Sequence, residues 1–284
     1  MKQVGIIGLG LMGGSLGLAL KRKTADFTVV AYARRAETRA AALTMGVADR
    51  VVDTPAAAAD GSDVVVLCVP VLKLAEMARA CLPGLNPGAV LTDVGSTKLD
   101  VIEAIAPALT ASDAEFVGSH PIAGSEETGI EAARADLYEG ATIVVSPSDT
   151  NSDEAVTRLT GFWEALGGKV QIIDPQRHDE LVARTSHLPH LVAATLAGTV
   201  CRAPDDISPL CGSGFRDTTR IASGSAEIWH DIVRTNRSAI QAELAAFGAS
   251  LDALRALIDE EDYEGLHRYL DACRARRLKV FNPE

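Results

Sequence analysis

The chain has 284 residues, a formal net charge of −11 and an apolar share of 47%. This length suits one large domain or two ordinary ones, and the apolar share is sufficient for a sizeable core, which excludes intrinsic disorder and a small disulfide-rich fold. Because 38 acidic residues outnumber 27 basic residues, the chain lacks the excess of positive charge with which proteins bind the phosphate backbone of a nucleic acid. We therefore expect no nucleic-acid partner.

An uncharged stretch over residues 4–20 has the hydropathy of a signal peptide or a membrane span. Six glycines interrupt it, and glycine disfavours a helix by about 1 kcal/mol relative to alanine. Lys21, Arg22 and Lys23 follow without a small-residue cleavage pattern. We therefore expect a cytoplasmic protein with no membrane partner.

The cysteines are odd in number, widely spaced and without a C-x-x-C pair, which predicts neither a disulfide framework nor a zinc site. We expect buried, reduced thiols. The five residues are Cys68, Cys81, Cys201, Cys211 and Cys273.

Short β-branched runs alternate with alanine-rich helical stretches through the first half of the chain. Several of these runs are apolar at successive positions, which is typical of strands that helices cover on both faces of a mostly parallel sheet. The first half is therefore α/β with a doubly wound sheet. The predicted strands are residues 4–7, 28–32, 64–69, 89–93, 115–118, 142–145 and 169–173.

The pattern changes after Asp174 and Pro175, because no further β-rich run follows. Apolar residues spaced at i, i+3 and i+4 predict long helices over residues 178–200, 228–257 and 263–279. The sequence therefore predicts two domains, a doubly wound α/β domain over residues 1–173 and an all-α domain over residues 174–284.

A glycine-rich segment, GLGLMG, directly follows the first predicted strand and leads into a helical pattern. This is the context that the dinucleotide-binding fingerprint requires. Gly8 would make the tight turn, Gly10 would let the backbone approach a pyrophosphate, and Gly13 would allow close helix packing. The amides that open the helix, at Leu11 and Met12, would face the anionic oxygens. The segment predicts a Rossmann-type domain that binds NAD or NADP.

The choice between the two cofactors is usually decided at the end of the second strand, where an acidic side chain binds the ribose of NAD. Here Arg34 and Arg35 follow that strand, and the first acidic residue is Glu37. Because guanidinium groups bind phosphate well, the sequence favours NADP. The alternative is that both arginines are solvated charges and that NAD binds.

Two predicted strands are followed by polar loops that would face the nicotinamide. Ser96 lies in the segment DVGSTK, and His120 lies in the glycine-flanked segment GSHPIAGSE. A histidine is a natural acceptor for the proton of a hydroxyl that loses hydride, because its ordinary pKa is near 6.5.

The helical half contains two further polar segments. His187 and His190 lie three residues apart without a carboxylate partner in view, so we expect no metal site. Further along, Arg220 in GFRDTTRIA suits a substrate carboxylate, which it could bind through two parallel hydrogen bonds.

Taken in order, GLGLMGGSL, DVGSTK, GSHPIAGSE, SHLPH and GFRDTTRIA followed by Trp229 resemble the prephenate/arogenate (cyclohexadienyl) dehydrogenase family of tyrosine biosynthesis. The resemblance spans residues 5–229. It implies an NAD(P)-dependent oxidative decarboxylation of prephenate or arogenate. It also implies a homodimer that is joined largely through the helical domain.

The same resemblance implies roles for individual residues. His120 would take the proton of the ring hydroxyl, and Ser96 would orient His120 near the nicotinamide. Arg220 would bind the ring carboxylate, with Asp217 supporting its geometry. The remaining pocket residues implied by the resemblance are His187, Ser125, Glu126 and Trp229.

Two alternatives remain open. The β-hydroxyacid dehydrogenases begin with a similar glycine loop, but their expected catalytic lysine has no counterpart because no lysine lies between Lys169 and Lys279. A non-catalytic NADP sensor would have no need for the combination of His120, Ser96 and Arg220. The start at the first strand and the end soon after the last helix predict neither a fused chorismate mutase domain nor a regulatory ACT domain.

Overall fold

The computed structural model describes residues 2–23, 27–124, 127–202 and 207–282. The chain forms two compact units, Met1–Arg237 and Ser238–Glu284. Every strand that the structure describes belongs to the first unit. The described part of the second unit is helical apart from the turn that joins its two helices.

A six-stranded parallel sheet forms the centre of the first unit, with the strand order β3-β2-β1-β4-β5-β6. This is the order of the Rossmann dinucleotide-binding fold, which reverses direction between β1 and β4 and binds its ligand there. The predicted doubly wound α/β fold is confirmed. The strands are β1 (Gln3–Ile7), β2 (Thr28–Tyr32), β3 (Arg50–Val52), β4 (Val64–Leu67), β5 (Val90–Asp93) and β6 (Glu115–Phe116).

Helices cover both faces of this sheet. Successive side chains of a strand point to opposite faces, so Val64 and Val66 of β4 join one apolar cluster while Val65 and Leu67 join the other. All four are fully buried, which explains why the sequence of β4 is apolar at every position. The helices of this half are α1 (Leu11–Lys23), α2 (Ala36–Thr44), α3 (Pro55–Ala59), α4 (Leu74–Cys81), α5 (Leu99–Leu109) and α6 (Asp153–Ala165).

A second sheet has three strands, β7 (Gly118–Ile122), β8 (Thr142–Ser146) and β9 (Lys169–Ile172), in that order. The predicted loop around His120 is wrong, because β7 is a strand that pairs antiparallel with β8. Its glycine, serine and proline content is typical of loops, but β7 is an edge strand, where Pro121 can lack an N–H donor. The strand buries Ser119 on one face and places the partly exposed His120 on the other.

The second half of the chain is mostly helical, as predicted. The predicted helix over residues 178–200 contains a π-helical turn at Ala183–His187, and the predicted helix over residues 228–257 divides at Asn236. Residues 174–237 belong to the same compact unit as the sheets, although the sequence pattern assigned them to the predicted helical domain. The helices are α7 (Pro175–Val182), α8 (Leu188–Val200), α9 (Ser213–Thr219), α10 (Ala226–Thr235), α11 (Arg237–Asp259) and α12 (Tyr263–Phe281).

Two further expectations concern the uncharged stretch and the cysteines. Residues 4–20 form most of β1, the glycine loop and most of α1, and no helix in the described ranges is long and apolar enough to cross a membrane. The cysteines are free thiols, but the prediction that all are buried is confirmed for Cys81 alone. Cys68 and Cys211 are partly buried, and Cys201 and Cys273 are exposed. Cys201 is the C-terminal cap residue of α8, and Cys273 lies in α12.

The packing of the glycine loop predicts a difference in stability between two substitutions. A Cβ at Gly13 would lie 1.9 Å from the carbonyl oxygen of Gly8, whereas a Cβ at Gly10 would meet no atom within 4 Å. We expect Gly13→Ala to lower the free energy of unfolding by about 1–3 kcal/mol, and Gly10→Ala to change it by less than about 0.5 kcal/mol. Urea unfolding of the two variants measures this, and equal stabilities would contradict the packing role of Gly13.

Candidate active site

A cavity of about 630 Å³ lies within the first unit, where β7 meets the helices that follow β9. Ser96, His120, Arg220 and Trp229, all singled out in the sequence, line this cavity together. Its volume is in the range of small-molecule sites. The cavity therefore brings residues from three distant sequence motifs to one place.

The glycine loop lies at the carboxyl end of β1, at the point where the strand order of the large sheet reverses. Gly8 has a φ of +102°, and a Cβ there would lie 2.4 Å from the carbonyl oxygen of Cys68. The space in front of Gly10 is open. The first turn of α1 is held from behind, because the hydroxyl of Tyr138 donates to the carbonyl oxygen of Met12 at 2.7 Å. An open backbone before a helix N-terminus fits a dinucleotide pyrophosphate.

The two arginines after β2 are exposed, and Arg35 is the N-terminal cap residue of α2. A third arginine, missed in the sequence, supports them: Arg39 donates to the carbonyl oxygens of Ala33 and Arg34 at 2.9 and 3.0 Å. These bonds hold the backbone of the loop in which the exposed Arg34 and Arg35 lie. Glu37 lies in the first turn of α2 and is also exposed.

His120 has a hydrogen-bond partner that the sequence analysis did not identify. Its Nδ1 lies 2.9 Å from Nε2 of His178 in α7, and Nδ1 of His178 lies 2.8 Å from Oδ1 of Asp179. Ser96 lies on the wall of the same cavity. The signal was the His-Asp pair in the first turns of a predicted helix, but the helical pattern alone does not show that these polar side chains face inward.

The environment of His120 keeps its ring neutral. Burial lowers the pKa of His120 well below its ordinary value of 6.5, and the neighbouring His178, Lys98 and His187 lower it further. At neutral pH the ring therefore carries one proton and one free lone pair. A neutral imidazole on a cavity wall can accept a proton from a bound hydroxyl.

Asp179 connects the histidine pair to the N-terminus of α5. It is 4% exposed, and its carboxylate accepts the backbone N–H groups of Lys98 and Leu99 at 2.8 and 3.0 Å. The carboxylate therefore satisfies two of the amides that the start of an α-helix leaves without an intrahelical partner.

The side chain of Lys98 lies beneath the cavity and is fully buried. Its ammonium pairs with Asp93 at the end of β5 and donates to the carbonyl oxygen of Ser119 at 2.9 Å. Asp93 in turn accepts the backbone N–H of Ser119 at 3.1 Å. These contacts fix the position of β7 relative to β5, and with it the position of His120.

The two histidines of the SHLPH segment differ in their positions. His190 lines the cavity and stacks on Trp229, with ring centroids 3.5 Å apart. His187 is 1% exposed and lies behind the cavity wall, with its ring perpendicular to Trp229 at 6.0 Å. Nδ1 of His187 accepts from the Asn236 amide at 3.2 Å, and its Nε2 has no hydrogen-bond partner within the described residues.

The remaining predicted residues fall into three groups. Arg220 lines the cavity from a short 3₁₀ turn, whereas Asp217 is exposed in α9 and does not line it. Ser125 and Glu126 lie outside the described residues. Within the ranges that the structure describes, no group of three His, Cys, Asp or Glu side chains could hold a metal ion.

Comparisons with known proteins agree along most of the chain. Residues 16–172 match the family model "prephenate dehydrogenase, nucleotide-binding domain", and residues 174–272 match "prephenate dehydrogenase, dimerization domain". The cyclohexadienyl dehydrogenase of Zymomonas mobilis is 33% identical over 283 residues, which cover 98% of this chain and 96% of that protein.

Two solved structures are also similar. Prephenate dehydrogenase from A. aeolicus, in complex with hydroxyphenyl propionate and NAD+, has a TM-score of 0.92 at 32% identity and covers 99% of this chain and 98% of its own. The arogenate dehydrogenase of Synechocystis has a TM-score of 0.83 at 29% identity and covers 98% of this chain and 99% of its own.

The buried His187 predicts a pH dependence of stability. Burial lowers its pKa to about 4, an effect that Asp179 partly opposes and that His178 and His190 reinforce. The unfolded chain, with a histidine pKa near 6.5, binds a proton that the folded chain excludes until about pH 4. The contribution of His187 to stability is therefore present above pH 6.5 and is lost as the pH falls towards 4, by roughly 3 kcal/mol at most.

Urea unfolding at neutral pH and at a pH near 4.5 measures this effect. We expect His187→Gln, which does not titrate, to lose less stability than the wild type between the two values. The exposed His267→Gln is the matched control and should behave like the wild type. An equal loss in His187→Gln and the wild type would contradict the assignment.

Proposed function

Because the chain belongs to the prephenate dehydrogenase family, we propose that it catalyses the NAD(P)-dependent oxidative decarboxylation of a cyclohexadienyl substrate, prephenate or arogenate. The observation that carries this proposal is a neutral His120 on the wall of a cavity that also contains Ser96 and Arg220. A base, a hydroxyl neighbour and a guanidinium are the groups that a hydroxylated carboxylate substrate needs.

The glycine loop would hold the cofactor. Gly8, Gly10 and Gly13 let the chain turn and approach the pyrophosphate, and the amides of Leu11 and Met12 face its oxygens. The nicotinamide, when bound, supplies an acceptor for the hydride that leaves the hydroxyl-bearing carbon. We propose NADP as the preferred cofactor, because the exposed Arg34 and Arg35 lie in the loop that follows β2.

The residues of the cavity would bind the substrate and accept its hydroxyl proton. His120 accepts the proton of the ring hydroxyl while Arg220 holds the ring carboxylate by charge-assisted hydrogen bonds. As hydride leaves, the hydroxyl becomes a carbonyl. Loss of the ring carboxylate as carbon dioxide then returns an electron pair to that oxygen, which takes back the proton from His120 as the ring becomes an aromatic phenol. Ser96, on the wall of the same cavity, would orient His120 near the nicotinamide.

Other side chains would shape the walls of the substrate site. His187 lies against Trp229, and its Nε2, which has no hydrogen-bond partner within the described residues, would donate to an anionic substrate. Ser125 and Glu126 complete the set that we propose for the substrate, and Asp217, which does not line the cavity, would support the geometry of Arg220.

We also propose that residues 1–173 bind the cofactor and that residues 174–284 complete the substrate site and form a homodimer. The two helices of the second unit support the dimer, because they expose large apolar side chains that a second copy of the chain could cover. These residues are Leu244, Phe247, Leu251, Ile258, Leu270, Leu278, Val280 and Phe281.

The proposed base is tested by His120→Asn. We expect kcat with prephenate or arogenate to fall by about 10²–10⁴-fold, because the variant lacks the group that accepts the hydroxyl proton. Formation of the reduced nicotinamide, followed by absorbance with each substrate and each cofactor, measures this. His230→Asn, at an exposed histidine, is the control. Unchanged turnover in His120→Asn would refute the role, and a wild type that binds cofactor but oxidises neither substrate would favour the sensor alternative.

The cofactor preference is tested by replacing the two arginines after β2. We expect the double variant Arg34→Ala, Arg35→Ala to raise KM for NADP by about 10- to 100-fold, because charge-assisted hydrogen bonds to the 2′-phosphate are lost. KM for NAD should change by less than about threefold. Arg79→Ala, at an exposed arginine of α4, is the control. A wild type that prefers NAD would overturn the preference for NADP.

A further inference from the structure

We propose that His178 and Asp179 are positioning residues that fix which nitrogen of His120 carries the proton, leaving its Nε2 bare for the reacting hydroxyl. The proposal deepens the proposed function and rests on it for the identity of that hydroxyl. The contacts that support it lie entirely among described residues of the first unit.

The first step concerns Asp179. Its oxygens accept the backbone N–H groups of Lys98 and Leu99, and the N-terminus of α5 stabilises a negative charge at that position. An ionised carboxylate can only accept hydrogen bonds. The remaining partner of Oδ1, which is Nδ1 of His178 at 2.8 Å, must therefore carry a proton and donate it.

The second step follows from the chemistry of a neutral imidazole, which has one N–H donor and one bare acceptor nitrogen. A neutral His178 whose Nδ1 is the donor has Nε2 as its acceptor. The ring is 1% exposed, so solvent does not compete for this nitrogen. His120 lies 2.9 Å away through its Nδ1, which must then be protonated. The bare nitrogen of His120 is consequently Nε2.

The third step is the proton transfer itself. The O–H bond of the substrate breaks, its electron pair forms the new carbonyl as hydride leaves for the nicotinamide, and the proton binds Nε2 of His120. The ring is then an imidazolium, and its Nδ1–H bond to His178 becomes charge-assisted and stronger. The negative charge of Asp179, one ring further on, favours this state.

The charges that face His120 make such assistance necessary. Lys98 at the start of α5, His178 in α7 and His187 in the π-helical turn all disfavour a positive charge on His120. Asp93 is already paired with Lys98 beneath the cavity. Asp179 is the carboxylate that is joined to His120 through hydrogen bonds, so it is the group that offsets the cost of protonating this base.

The tautomers can be measured directly by ¹⁵N NMR of the histidine-labelled protein at neutral pH, with assignments from His120→Asn and His178→Gln. We expect both His120 and His178 to carry their proton on Nδ1. A proton on Nε2 of His120 would overturn the proposal. This measurement needs no turnover, so its result stands even if neither prephenate nor arogenate is oxidised, an outcome that would count against the proposed function alone.

Kinetics of three variants complete the test. We expect His178→Leu to lower kcat by at least about 10-fold, but by less than the loss of about 10²–10⁴-fold expected for His120→Asn. KM for substrate and cofactor should stay within about twofold, because the substrate contacts remain. His178→Gln should recover most of this loss, since its side-chain oxygen can accept from Nδ1 of His120. Asp179→Asn should lower kcat in the same way as His178→Leu.

The pH profile separates positioning from a general structural role. Without the negative charge of Asp179, protonated His120 is less stable and its pKa falls, so the acid limb of kcat/KM should move to lower pH in Asp179→Asn. His230→Leu removes the histidine of an exposed His-Asp pair and is the matched control, expected to resemble the wild type. An unmoved acid limb, equal losses in the Leu and Gln variants, or a rise in KM without a fall in kcat would overturn the proposal.

Discussion

The active-site region depends on one buried ion pair, between Lys98 and Asp93. An ammonium without a counterion in the protein interior would cost several kcal/mol, so the pair holds only if both partners keep their positions. Asp93 ends a strand of the large sheet, and Lys98 bonds to the backbone of the strand that carries His120. The two sheets are thereby fixed relative to each other beside the cavity that His120 lines.

The central strands of the large sheet could be predicted from the sequence, because a strand such as β4 is buried on both faces and is therefore apolar at every position. The edge strand β3 was not predicted, because it has three residues, of which Arg50 is exposed and the other two are only partly buried. The glycine loop could also be predicted, since turns with close backbone contacts admit little other than glycine. The strand that carries His120 could not be predicted from the sequence. Its composition is that of a loop, and only its pairing with β8, a contact distant in sequence, makes it a strand.

The candidate site was predictable in its motifs and not in its contacts. His120, Ser96, Arg220 and Trp229 converge on one cavity, but the partner of His120 comes from α7, 58 residues further along the chain. A single sequence does not show which of several histidines will meet. For the same reason the sequence could not show that His190 rather than His187 lines the cavity wall.

The way in which the histidine pair ends has a consequence for the catalytic cycle. Asp179 is almost fully buried, and beyond it lie the backbone amides of α5, which hold their protons firmly. Within the described residues, the hydrogen-bonded pair therefore offers a proton no path from His120 through His178 and Asp179 to bulk water. In the proposed reaction, the proton that His120 takes up therefore returns to the substrate oxygen, which becomes a phenolate as carbon dioxide departs. The base is consequently restored by the product itself, before the pocket empties.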